Sequence, residues 1–254
     1  MRENNNIVRM SDTHLSSVLG ILRLLKRTEG LSTDHCALNF LQSWVQPDGD
    51  EEIALRIAVY VQSQIAGAAT VIEQSDYVDE GKAGLLETIN GLRTAFSLSG
   101  MHTAVKSYVP LLDSALSQFA ILVSIGGPGP NLAESKDVAD LIKEVDELYK
   151  SVLAADMDED VRAIAKKHLH VLLTLLRNLN VMGVEAAMAA YAELVIRLNS
   201  AGATASTATQ KQIKTFWPTL ESWAKRLNAI QKLYAAGAAI LEYGKPLLTL
   251  IKGT

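Results

Sequence analysis

The sequence predicts an all-α protein, an irregular multi-helix bundle or paired-helix array of about eight or nine helices. Three observations carry that expectation. Apolar residues recur at three- and four-residue steps in segment after segment, the spacing of one helical face. The apolar set is rich in alanine and leucine, and aromatic residues reach only 6%, which suits closely packed helices. No segment reads as a hairpin or a βαβ unit.

Leu15, Val18, Leu19, Leu22 and Leu25 mark the first helix, about Ser11 to Thr28, with Ser11 or Thr13 as cap and Gly30 as stop. A second piece starts at Ser32 or Thr33, includes Cys36, Leu38, Phe40, Leu41 and Trp44, and closes at Pro47-Asp48-Gly49. Asp50 is placed to cap a third helix. It is apolar on more than one side (Ile53, Leu55, Ile57, Val61, Ile65, Ile72) and so is expected to be central. Asp76 to Gly84 reads as a polar break. A fourth helix follows from Leu85 to Leu98, with an interruption at Ser99-Gly100. Met101 to Ile125 reads as one helical segment that Pro110 kinks or divides. Gly126-Gly127-Pro128-Gly129-Pro130-Asn131 is a loop that splits the chain nearly in half.

The second half opens with an acidic helix, about Ser135 to Ala154, facing inward through Val138, Leu141, Ile142, Val145 and Leu148. An acidic turn, Met157-Asp158-Glu159-Asp160, then favourably meets the N-terminal dipole of a very apolar helix that runs to Asn180. An alanine-rich helix spans Val184 to Leu198. Ala201 to Thr209 reads as a small-residue linker. The last segment, Gln210 to about Lys245, carries a wide apolar stripe (Ile213, Phe216, Trp217, Leu220, Trp223, Leu227, Ile230, Leu233, Tyr234), with Pro218 as a possible kink, and Pro246 to Ile251 is a short apolar end. The expected organisation is two helical halves, residues 1–125 and 132–254, or one compact domain of both.

At 254 residues, with 48% hydrophobic and 20% charged residues, the chain has enough apolar material for a sizeable core and is not disordered overall. The net charge of −4 gives no global signal for nucleic acid. Its distribution is uneven. From Ala205 to Thr254 there are seven basic and two acidic residues, a net +5, against −9 for the rest of the chain. A single cysteine, Cys36, excludes an intramolecular disulfide. The polar start MRENNNIVRMSDTH argues against a signal peptide, and no run of 18 or more apolar residues suggests an ordinary membrane span. A cytoplasmic location is expected, alternatively peripheral to a membrane. The overall style resembles that of many small bacterial proteins and points to no family.

The motifs of chemistry are sparse. There is no H-E-x-x-H, C-x-x-C, EF-hand loop, P-loop ending or G-x-S-x-G elbow. His168 and His170 are two apart on a helix and point in different directions, so they read as separate residues near a positive patch of Arg162, Lys166 and Lys167. Cys36 reads as a small core residue, with His35 splayed away from it. Asp137, Asp140, Glu144 and Glu147 read as a solvated face, and the acidic turn at Asp156 to Asp160 as a helix start. No metal, cofactor or catalytic residue is expected.

Most weight falls on the C-terminal helix, where a wide apolar face meets basic and aromatic residues. That face either packs on its own body or docks elsewhere. Trp217, Trp223, Lys225, Arg226, Lys232 and Tyr234 are the candidate interaction residues. The first expectation is a non-enzymatic helical interaction or adaptor protein, with a protein partner or a second copy engaged through this helix. The alternatives are a membrane-active protein whose basic tail (Lys225 and Arg226 above all) meets a bilayer, and an enzyme with an inter-helical carboxylate such as Asp158 or Asp160. Nucleic acid is not an expected partner.

Overall fold

A computed structural model describes the backbone of residues 7–28, 36–45, 49–75, 79–109, 112–126 and 135–252, and side chains within 14–26, 36–45, 49–75, 81–109, 112–123 and 135–232. The described residues form nine α-helices and no strand: α1 (Ile7–Thr28), α2 (Ala37–Trp44), α3 (Glu51–Gln74), α4 (Asp79–Ala95), α5 (Leu112–Gly126), α6 (Lys136–Ala154), α7 (Glu159–Arg177), α8 (Leu179–Thr204) and α9 (Thr207–Lys252). The protein is an irregular all-α bundle. Two compact units divide it, one of residues 1–43, 58–130 and 233–254, the other of residues 44–57 and 131–232.

In the first unit, α5 packs against α1 and α4. Its core holds Val18, Ile21, Leu22, Phe40, Ile65, Leu92, Phe96 and Phe119. Phe40 and Phe96 meet edge to face at 5.9 Å, a favourable quadrupole geometry. Cys36 precedes α2 rather than lying in it. Its carbonyl accepts from the Phe40 N–H, and it pairs across a single antiparallel bridge with Ala104.

The expected helix over Met101 to Ile125 forms only from Leu112 onward. Before it lie turns and one 3-10 turn, Val105–Ser107. Two local causes act here. The Ser97 hydroxyl takes the Gly100 N–H and donates to the Thr94 carbonyl, diverting the backbone at the end of α4. Pro110 disfavours helical geometry at Val109. The irregular segment lies across α4 at Gly91, where a Cβ would stand 2.1 Å from the Tyr108 carbonyl oxygen.

In the second unit, α7 packs against both α6 and α8. It is the central helix, since all residues from His168 to Leu176 are buried. Asp50 caps α3 as expected, accepting from the Ile53 N–H at 3.1 Å. Asn178 turns the chain from α7 into α8. Gly183 then kinks α8 at φ 78°, ψ 163°, a conformation open essentially to glycine.

Three further boundaries differ from expectation. The polar break at Asp76 to Gly84 is shorter, because α4 already starts at Asp79. The small-residue linker at Ala201 to Thr209 reduces to Ala205 and Ser206, because alanine supports helix up to Thr204. Helix α9 continues through Pro218. The Gly-Pro loop from Gly127 to Asn131 lies outside the described residues.

Candidate interaction face on the C-terminal helix

Helix α9 is fixed at its start by a reciprocal cap. Ser206 is its N-cap residue: its carbonyl accepts from Gln210 and its hydroxyl from the Thr209 N–H at 3.3 Å. Asp158, at the start of α7, accepts from the Ser206 N–H at 2.7 Å and from its hydroxyl at 2.8 Å. In return the Asp158 N–H donates to the Thr209 hydroxyl at 2.7 Å. The Ser206 backbone bond, followed by its hydroxyl, holds the Asp158 carboxyl below its ordinary pKa.

The inner face of α9 packs into the second unit. Ile213, Phe216, Leu220, Trp223, Leu227 and Ile230 are all buried. A buried indole needs an acceptor for its N–H, and Trp223 finds one in Glu144 of α6 at 3.1 Å. The other Glu144 oxygen pairs with Arg226 at 2.9 Å. The Tyr191 hydroxyl of α8 donates to the Leu220 carbonyl at 2.8 Å. Burial, then the nearby Glu221 charge, pushes the Tyr191 pKa up.

The outer face differs in kind. Thr207, Lys211, Lys214, Pro218, Glu221, Lys225, Asn228 and Lys232 are exposed and follow one another at three- and four-residue steps. At 100° per residue, the four lysines fall within an arc of about 60°, roughly opposite the buried stripe. Among the described residues none of the four has an ion-pair partner.

The residues singled out from sequence therefore separate. Lys225 and Lys232 stand on the exposed stripe, and Trp217 is half-buried on its flank. Trp223 lies in the interior, and Arg226 is half-buried and tied to Glu144. The Tyr234 side chain lies outside the described residues. Lys211 and Lys214 join the stripe. Their signal was present in the sequence as helical phase, once the buried face fixes which side turns outward. Glu144, expected on a solvated face, turns toward α9 instead, because the buried Trp223 indole needs an acceptor.

The polar groups with chemical potential elsewhere are bound into the fold. His168 is buried with Nδ1 3.9 Å from Glu193. Desolvation lowers its pKa, Glu193 opposes this, and Arg56, Arg197 and Lys167 add to the lowering. His170 is buried with its ring centroid 5.6 Å from that of Tyr149. The supposed positive patch beside them is divided: Arg162 binds Glu159 and the carbonyls of Ala155 and Met157, and Lys167 pairs with Glu52. The buried Cys36 thiol donates to Asn39 Oδ1 at 2.8 Å. Among the described residues, no group of three or more His, Cys, Asp or Glu side chains is arranged to hold a metal ion.

By length and composition, α3 and α8 are apolar enough to cross a membrane, a test that the core helix of a soluble protein also passes. No known family model, curated protein or solved structure matches this chain.

Proposed function

We propose that this chain is a non-enzymatic helical interaction protein, a scaffold or adaptor that works by presenting the outer face of α9. The observation that supports this most is the division of labour within the second unit. Asp158, Glu144 and His168, the groups best suited to chemistry, are engaged with other parts of the fold. The four lysines of α9 are engaged with nothing among the described residues. A row of four lysines with the single carboxylate Glu221 among them, held on a helix whose opposite side is buried, is suited to an acidic counterpart. Such a counterpart is a protein surface, a second copy of this acidic chain or an anionic lipid surface.

Light scattering on the full chain, from low to high micromolar concentration, tests the self-association form of this reading. A mass that rises with concentration, and that reversal of Lys211, Lys214, Lys225 and Lys232 to Glu returns to monomer, supports assembly through α9. A constant monomer rules that form out. An activity abolished by Asp158→Asn or Asp160→Asn in a folded chain would overturn the non-enzymatic reading itself.

A further inference from the structure

We infer that the lysine stripe of α9 is a docking surface for an anionic phospholipid bilayer. The inference rests on the reading of α9 as the working face and names its counterpart. The shape of the stripe suits a plane. Lys211, Lys214, Lys225 and Lys232 project from one side of one helix, over a length of about 31 Å and an arc of about 60°. Charges in that arrangement can meet a flat surface together. An extended anionic plane satisfies all four, and each lysine near such a surface contributes additively to binding.

The composition around the stripe suits a bilayer as well. The half-buried Trp217 flanks the stripe, and indole rings favour the boundary between water and lipid. Beyond Lys232 the same helix continues to Lys252 through the apolar runs Leu233 to Leu241 and Leu247 to Ile251. A basic row followed by apolar sequence on one helix is the order expected of a segment that meets headgroups first.

Other acidic partners match less well. In a second copy, the acidic helix α6 interleaves its exposed Asp137, Asp140 and Glu147 with exposed Lys136, Lys143 and Lys150, so it offers no continuous row of carboxylates. For nucleic acid the stripe lacks arginine and carries no row of exposed aromatic side chains on which bases stack.

The test is cosedimentation of the full chain with vesicles of phosphatidylcholine alone and with about 30% phosphatidylserine. Binding is expected to the anionic vesicles, little to the neutral ones, with release in about 0.5 M salt. The variant with all four lysines changed to Glu is expected to lose affinity by roughly a thousandfold or more, and the all-arginine variant to keep it. Circular dichroism checks that each variant folds. If the Glu variant does not fold, the milder Lys211→Gln/Lys225→Gln pair and the salt titration of the natural chain decide the matter. Equal binding to both vesicles, no binding to either, or binding indifferent to salt and to the variants overturns the inference. If vesicles are ignored while the Glu variant changes the oligomeric state, the bilayer is wrong and α9 remains the working face. If neither responds, both fall.

Discussion

Helix α6 and the part of α9 up to Lys232 lie in the same unit and are both amphipathic, yet they handle charge in different ways. On α6, lysines and carboxylates alternate, and two of the lysines are paired within the helix: Lys143 with Glu147 at 3.8 Å and Lys150 with Asp146 at 2.6 Å. Asp146 also reaches Arg177 of α7 at 3.6 Å. On α9 the inward basic residue, Arg226, is neutralised by Glu144, and the outward ones are not neutralised among the described residues. A solvated helix face needs charge only for solubility, and mixed signs serve that purpose with small gains from i,i+4 pairs. A face with four lysines and the single carboxylate Glu221 gives up most of those gains. On the proposal made above, α6 serves the fold alone, and α9 serves the fold on one side and an external acidic surface on the other.

That contrast can be broken most severely from the inside. Trp223→Ala should destabilise the chain by about 3–5 kcal/mol, through loss of packing and a cavity, read as a lower urea midpoint. Glu144→Ala removes the acceptor of a buried indole N–H and should lower stability by about 1–3 kcal/mol in the same assay. Ser206→Ala removes the N-cap of α9 and should cost about 0.5–2 kcal/mol. At the small end, Lys143→Ala and Lys225→Ala should each change stability by less than about 0.5 kcal/mol, so that only binding experiments distinguish the two faces.

Acid should sharpen the same distinction. Asp158 and His168 both have folded pKa values below their ordinary ones. Folding therefore favours the deprotonated forms, and each contribution is complete above the ordinary value and lost as pH falls through the folded one. The His168 contribution should fade below about pH 6.5 and that of Asp158 only in the carboxylate range. Urea midpoints measured from pH 7 to pH 5 should fall in the natural chain and fall less in His168→Gln. Equal slopes would show that His168 does not carry the effect.

Much of the fold was legible because helical periodicity is a strong local signal. The core faces of α1, α6 and α7 and the cap at Asp50 follow from spacing and residue type. What was missed depends on the third dimension. Nothing near Met101 says that Gly91 lets the chain lie across α4, and a serine-glycine-proline set outweighed an apolar pattern there. The small residues from Ala201 to Thr204 look like a linker yet extend α8, whose alanine-rich course favours helix. On α9 the basic character was plain, but its division was not: Lys225 and Arg226 are adjacent in sequence and face different surroundings.

The most direct test compares the lysines of α6 and α9 by amine-acetylation footprinting of the intact chain, with and without anionic vesicles. The account predicts that vesicles protect Lys211, Lys214, Lys225 and Lys232, while Lys136, Lys143 and Lys150 react as before. Protection of both sets alike, or of neither, would contradict it.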